Sequence, residues 1–138
     1  MEIRTEININ ATTQKAWQIL IDFDNYPNWN PFIKTISGKP EIGNTIKVVL
    51  PEMTFTPKIT AFKTNKELRW LGHFLFKGLF DGEHIFRIHD NADGTITFNH
   101  SEKFSGILVP LFKKKLLSET KQGFEAMNIK LKEVAEQV

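Results

Sequence analysis

The chain has 138 residues, the size of one ordinary domain (1–138), and its net charge of +2 is too small for a dedicated nucleic-acid binder. It contains no cysteine, which excludes a disulfide framework, a cysteine-ligated zinc site and a thiol nucleophile. The first residues lack the pattern of a signal peptide, and the longest apolar stretch, residues 107–112, is too short for a membrane span, so we expect a soluble cytoplasmic domain.

The first predicted elements are a strand and a helix. From Glu2 to Asn10 apolar and polar side chains alternate, which is typical of a half-buried strand. Residues 10–13 offer capping side chains for a helix that runs through residues 16–20. Turn-forming residues and two prolines in residues 24–31 predict that this helix ends near Phe23.

Six further strands are predicted between residues 33 and 104, separated by short turn signals. They are Ile33–Ser37, Thr45–Leu50, Thr54–Phe62, Glu67–Phe74, Leu79–His89 and Thr95–Phe104. Short connections favour hairpins, so we expect an antiparallel sheet of about seven strands when the first strand is included.

The C-terminal segment changes to a helical period. Apolar residues recur every three or four positions from Leu108 to Val134, with lysines and glutamates between them. Pro110 lies in the first turn, where its missing N–H costs little. The pattern predicts one amphipathic helix of nearly 30 residues lying across the apolar face of the sheet.

Alternation along the last strands places ionisable side chains on the buried face. In Thr95–Phe104 the even positions hold Ile96, Phe98, His100, Glu102 and Phe104, whereas the odd positions are polar. By the same reasoning His84 and Trp70 point inward from the two preceding strands. A short loop around Asp93 would bring His84 and His100 nearly opposite each other.

Two interpretations of this polar cluster remain open. Burying such groups in a dry core costs several kcal/mol unless they are paired or solvated. They form either an internal hydrogen-bond network that serves stability alone or the polar contacts of a ligand-filled cavity between sheet and helix. Twelve phenylalanines among 16 aromatic residues fit either a thick core or an apolar cavity lining. Gly123 predicts a close approach of the helix to another part of the chain.

Several segments together resemble a known superfamily. They are Ala16–Leu20, Tyr26–Phe32, Leu68–Trp70, Gly82–Phe86 and Asp93–Gly106. On these segments essentially the whole chain resembles the START/birch-pollen-allergen (SRPBCC) superfamily, in its bacterial polyketide cyclase-like branch. The resemblance implies an α+β helix-grip fold: a curved seven-stranded antiparallel sheet around a long C-terminal helix, with two short helices after the first strand. It also implies an internal cavity for a hydrophobic ligand.

The first functional hypothesis is a non-catalytic module that binds a small apolar or aromatic molecule, with no cofactor and no metal. The candidate ligand-binding residues are Trp29, Phe32, Phe55, Trp70, His84, Phe86, His100, Glu102, Phe104 and Phe124. Trp29 and Phe32 would lie near the mouth of the cavity, or would simply plug the end of the core. His84, His100 and Glu102 would recognise one polar group of the ligand.

Three other hypotheses remain. A cyclase or dehydratase could use a cavity histidine as acid–base catalyst with Glu102 as its partner. Two histidines and one carboxylate could hold Fe(II) or zinc. The outer sheet face or the lysines at 113–115 could bind another protein, although such charge runs are usually solvated. Oligomeric state is not predicted.

Overall fold

The computed structural model describes residues 1–74 and 76–137, and this part of the chain holds eight β-strands and three α-helices. The strands are β1 (Glu2–Ile9), β2 (Thr35–Ser37), β3 (Lys47–Val49), β4 (Thr54–Phe55), β5 (Lys58–Lys63), β6 (Glu67–His73), β7 (Asp81–Asp90) and β8 (Ile96–Ser105). The helices are α1 (Thr13–Ile21), α2 (Val109–Lys115) and α3 (Lys121–Ala135). A short 3-10 helix covers Phe23–Asn28, and a π-helical turn covers Leu116–Thr120.

The strands form two antiparallel sheets. The larger has the order β1-β8-β7-β6-β5, and the smaller has the order β2-β3-β4. The predicted α+β class, with a curved antiparallel sheet and a long C-terminal helix, is confirmed. The prediction of a single sheet with seven strands is wrong, because the described residues form sheets of five and three strands.

A proline explains the division between the two sheets. The stretch Thr54–Phe62, predicted as one strand, is split into β4 and β5 around Pro57, which has no amide hydrogen to donate to a neighbouring strand. The sheets stay linked through an isolated bridge between Thr45 and Lys58 and a hydrogen bond of 2.9 Å from the Ile46 amide to the Pro57 carbonyl. The strand pairing is therefore interrupted at Pro57, and the two sheets remain connected there.

The first helix begins as the sequence predicts. The Thr12 hydroxyl accepts a hydrogen bond of 3.1 Å from the Lys15 amide, which satisfies one of the free N–H groups of the first turn. Ala16, Trp17 and Leu20 form its buried face.

The C-terminal helix is long but not uniform. Helical backbone runs without a gap from Val109 to Ala135, through α2, the π-helical turn and α3. The apolar stripe is buried along its second half, at Phe124, Met127 and Leu131. In the first half, by contrast, Leu111 and Phe112 are 75% and 41% exposed. The predicted inward orientation therefore holds for α3 and is wrong for Leu111, whereas the partly exposed Phe112 packs edge-on against Phe80.

The core is filled unevenly. A large cluster packs α1, the 3-10 helix and the sheet around Trp17, Tyr26 and Phe98. A smaller cluster holds Ile3, Phe104, Val109, Leu116 and Phe124. None of the helices in the described part of the chain combines the length and the apolar character needed to cross a membrane.

Candidate functional site

A cavity of about 480 Å³ lies beside the smaller cluster, between the large sheet, the small sheet and the first half of the C-terminal helix. β6, β7 and β8 supply one wall, the segment from β3 to β4 supplies the second, and α2 with the π-helical turn supplies the third. This volume is within the range of cavities that hold small organic molecules. The chain therefore encloses usable space where the sequence left a cavity and a filled core equally open.

The candidate ligand-binding residues divide into two groups. Those that line the cavity are Phe32, Phe55, Trp70, His84, Glu102 and Phe104. Trp29, Phe86, His100 and Phe124 do not line it and are buried in the packed interior instead. The cavity also has walls that the sequence did not single out as ligand contacts, namely Ile33, Val48, Leu50, Met53, Phe80, Phe112 and Leu116. Most of these lie on short strands and loops, where alternation is too brief to show which way a side chain points.

Gly123 is the place where the helix meets the loop after the 3-10 helix. A Cβ atom at this position would lie 2.4 Å from Cδ1 of Phe32, so any side chain would collide with that ring. Phe32 packs edge-on against Phe124, with ring centroids 5.5 Å apart. The close approach predicted from the sequence is therefore to an aromatic ring that also forms part of the cavity wall.

The pairing of β7 with β8 explains why the polar side chains meet. His84 lies opposite Glu102, and Phe86 lies opposite His100, so the two histidines are diagonal neighbours on the concave face. The connecting loop has five residues, 91–95, and includes Ala92 and Gly94 with positive φ. This register brings three ionisable groups to the border between the core and the cavity.

The three groups form one continuous chain of hydrogen bonds. Nδ1 of His84 lies 3.2 Å from Oε1 of Glu102, and the Nε2 atoms of His84 and His100 are 2.7 Å apart. Nδ1 of His100 contacts Oδ1 of Asn128 at 2.9 Å, and Nδ2 of Asn128 donates to the Thr5 hydroxyl at 2.8 Å. This series of hydrogen bonds thus runs from the cavity wall, across the concave face of the large sheet, to α3 and β1.

Asn128 and Thr5 are the members of this hydrogen-bond network that were not singled out from the sequence. Asn128 lies four residues after Phe124 and three before Leu131, so it occupies the buried stripe of α3 and is only 2% exposed. A polar residue inside an apolar stripe was the signal available. Its partner Thr5 shares a face with the apolar residues of the first strand in the same way.

Burial determines the protonation state of His100. Because His100 is fully buried, its pKa lies well below the usual range, and the electrostatic effect of the neighbouring His84 lowers it further. The hydrogen bond to Asn128 acts in the opposite direction and is the weaker influence. His100 is therefore neutral near pH 7.

Aromatic rings hold both imidazoles in place. Trp70 stacks on His84 with ring centroids 5.1 Å apart, and Phe124 stacks on His100 at 4.1 Å. Rotation of either imidazole would break a ring contact as well as a hydrogen bond. The orientation of the polar wall is fixed before any ligand arrives.

Other charged groups lie at the rim of the cavity. Nζ of Lys115 contacts Glu52 at 3.0 Å and Glu119 at 3.8 Å, so this amine joins α2 to the segment between β3 and β4. His73 contacts the carboxylate of Asp81 at 2.7 Å. Burial acts to raise the pKa of Asp81, but hydrogen bonds from His73 and the Gly78 amide outweigh it and leave that pKa lowered.

The geometry does not resemble a metal centre. Two imidazole nitrogens that bind one zinc ion are each about 2.0–2.1 Å from it and therefore stand more than 3 Å apart. His84 and His100 instead share a direct contact of 2.7 Å. Among the described residues there is no cluster of three or more histidine, aspartate or glutamate side chains that could hold a metal ion.

Comparison with known proteins adds a family and a fold. A family model described as polyketide cyclase / dehydrase and lipid transport matches residues 1–136. A search of curated proteins gave no match. A hypothetical protein from Helicobacter pylori is similar in structure, with a TM-score of 0.84, 14% identity, and coverage of 99% of this chain and 88% of that one.

Two further solved structures extend the comparison. A START superfamily protein from Mycobacterium smegmatis has a TM-score of 0.72 and 17% identity, over 96% of this chain and 98% of that one. The Aha1 dimer from Colwellia psychrerythraea has a TM-score of 0.75 and 19% identity, over 99% of this chain and 96% of that one. At these identities the likeness establishes the fold alone.

Proposed function

Because the chain belongs to the polyketide cyclase / dehydrase and lipid transport family, we propose that it binds a small, mostly apolar molecule in the cavity between the sheets and the C-terminal helix. The cavity of about 480 Å³, open to solvent at its mouth, is the observation that carries this proposal. Concave sites of this size, lined mainly by apolar side chains with a few polar groups, are typical of proteins that bind small molecules.

The chemistry of the wall supports an apolar occupant. Trp70 and Phe104 of the large sheet and Phe55 of the small sheet are among the lining residues. At the mouth Met53, Phe74 and Phe112 are 40–45% exposed, so apolar surface continues from the interior to the entrance. An apolar ligand would cover this surface and gain free energy in proportion to the area removed from water.

The first prediction uses two adjacent leucines of the π-helical turn. Leu116 is buried and lines the cavity, whereas Leu117 is 46% exposed and does not line it. Leu116→Trp should fill part of the hollow and weaken binding at least tenfold, because the indole occupies the volume that the ligand needs. Leu117→Trp adds the same side chain outside and should leave binding unchanged. Calorimetric titration with an apolar aromatic compound, after native mass spectrometry of any co-purified molecule, measures the difference.

The thermal shift provides the control on folding. A ligand at 100 times its dissociation constant should stabilise the wild-type protein by about 2.7 kcal/mol, which appears as a raised melting temperature. Leu116→Trp should melt cooperatively and lose only this ligand-dependent shift. Equal binding by both tryptophan variants would place the ligand elsewhere and refute the proposal.

A second candidate function is acid–base catalysis of the cyclase or dehydratase type, favoured by the contact between His84 and Glu102 at the cavity wall. The pair could move one proton between a carbon and an oxygen of a bound substrate, as enolisation requires. The prediction is that His84→Ala abolishes turnover of a β-dicarbonyl substrate while its dissociation constant changes only a few-fold. His89→Ala, at an exposed position of β7, is the control. Turnover at the wild-type rate in His84→Ala would exclude the pair as the catalyst.

A further inference from the structure

The chain of hydrogen bonds behind the cavity fixes where each hydrogen lies, beginning at Thr5. The Thr5 hydroxyl has one hydrogen and donates it to the His100 carbonyl at 2.7 Å. Its oxygen must therefore accept the hydrogen bond from Nδ2 of Asn128. This leaves Oδ1 of Asn128 as the atom that faces His100, and a carbonyl oxygen can only accept, so Nδ1 of His100 carries a hydrogen.

The tautomer of His100 then decides that of His84. A neutral His100 with its hydrogen on Nδ1 has a bare lone pair on Nε2. The Nε2 atom of His84 is 2.7 Å away and must donate to that lone pair. The outer nitrogen of His84, Nδ1, is thus the only nitrogen left to interact with Glu102.

The contact between His84 and Glu102 requires one shared proton. With no hydrogen on Nδ1, a lone pair would face a carboxylate oxygen at 3.2 Å, and two acceptors repel each other. One proton between Nδ1 and Oε1 removes this conflict, whether it is bonded to the imidazole or to the carboxyl group. In both cases Oε2 of Glu102 remains a hydrogen-bond acceptor, and no described residue donates to it.

The other basic side chains that line the cavity are already paired with carboxylates. Lys115 is the single lysine or arginine among the described lining residues, and it is already paired with Glu52 and Glu119. The other lining histidine, His73, is paired with Asp81. A ligand carboxylate or phosphate would find no unpaired lysine or arginine among the described lining residues to compensate its lost hydration.

From these steps we infer that the cavity selects apolar alcohols or phenols, whose uncharged hydroxyl group donates its hydrogen to Oε2 of Glu102. The inference rests on the proposed function and goes further, since it names the polar group that the ligand must bring. An ether or ketone of equal size has an acceptor only and leaves Oε2 unpaired. A carboxylate adds a negative charge beside the same oxygen.

Three probes of matched shape test this selectivity at pH 7 by calorimetric titration. They are 4-phenylphenol, 4-methoxybiphenyl and biphenyl-4-carboxylate. The phenol should bind about tenfold more tightly than the methoxy compound, the ratio that corresponds to about 1.4 kcal/mol, and the carboxylate should bind most weakly. If the methoxy compound binds as tightly as the phenol, or the carboxylate binds most tightly, the inference is wrong while the proposed function stands.

Substitution of Glu102 assigns the selectivity to this residue. Glu102→Met keeps the length of the side chain and removes both oxygens, so phenol and methoxy compound should bind within a factor of about two of each other. Glu125→Met, on the exposed side of α3, should keep the wild-type ratio. A preserved ratio in Glu102→Met would overturn the inference. Failure of all three probes to bind the wild-type protein would contradict the proposed function itself, and the inference with it.

Discussion

At the scale of single residues, the buried histidine makes the stability of the protein sensitive to pH. His100 is fully buried and its pKa in the folded protein lies well below the value of about 6.5 expected for an unfolded chain, first because of burial and then because of His84. As the pH falls below about 6.5, the unfolded chain binds a proton at His100 while the folded protein still does not. Stability is therefore present in full above pH 6.5 and declines as the pH falls.

The variant His100→Gln should remove this decline, because glutamine does not titrate. Between pH 6.5 and 5 the wild-type free energy of unfolding should fall more steeply than that of the variant, by up to about 1.4 kcal/mol per pH unit. Urea denaturation at several pH values measures both slopes. The other titratable groups nearby are unchanged in the variant. His84 contacts His100 directly, Glu102 contacts His84, and the pair of His73 and Asp81 lies elsewhere on the cavity wall.

The control for this comparison is His89→Gln. His89 lies on the exposed side of β7, so its replacement should leave the wild-type slope intact. Parallel slopes for the wild type and His100→Gln would mean that His100 titrates alike in both states, contrary to the effect expected from its burial.

The polar cluster was partly predictable residue by residue. Alternation along two strands is enough to place His84, His100 and Glu102 on one face, since each position follows from its neighbours. The contacts that complete the chain, at Asn128 and Thr5, depend on how α3 crosses β1, and local patterns do not contain that crossing. Whether a ligand uses these residues remains a prediction.

At the scale of elements, the long strands and the long helix follow from the sequence, and the short strands do not. β7 and β8 each have ten residues, so alternation has room to show itself. β3 and β4 have three and two residues, and their pairing depends on where the chain turns. The sequence did contain a signal for the break at Pro57, because a proline inside a predicted strand argues against continuous pairing.

The π-helical turn had no comparable signal. The apolar repeat passes from α2 through Leu116 to α3 at spacings that a regular helix would also satisfy. What distinguishes this segment is its place beside the cavity, which Leu116, Glu119 and Thr120 line. π-helical turns occur frequently at functional sites.

At the scale of the whole molecule, the two ends of the fold differ in how firmly they are held. One end packs Trp17, Tyr26 and Phe98 into a filled core. At the other end α2 and the segment between β3 and β4 border the hollow and are joined across its mouth by Lys115 and Glu52. Both side chains of this ion pair are more than half exposed, and such pairs contribute about 1 kcal/mol at most. Local opening should therefore begin at the mouth.

Hydrogen exchange measured residue by residue checks this asymmetry. Without ligand, amides of residues 47–55 and 109–120 should exchange faster than those of β7 and β8, since fewer buried contacts oppose their opening. Saturation with 4-phenylphenol at 100 times its dissociation constant should slow exchange at the mouth by up to about 100-fold, because opening there must first release the ligand. Slowing confined to α1 and the filled end, in a protein that binds the phenol, would show that the ligand enters elsewhere and that the mouth is not its route.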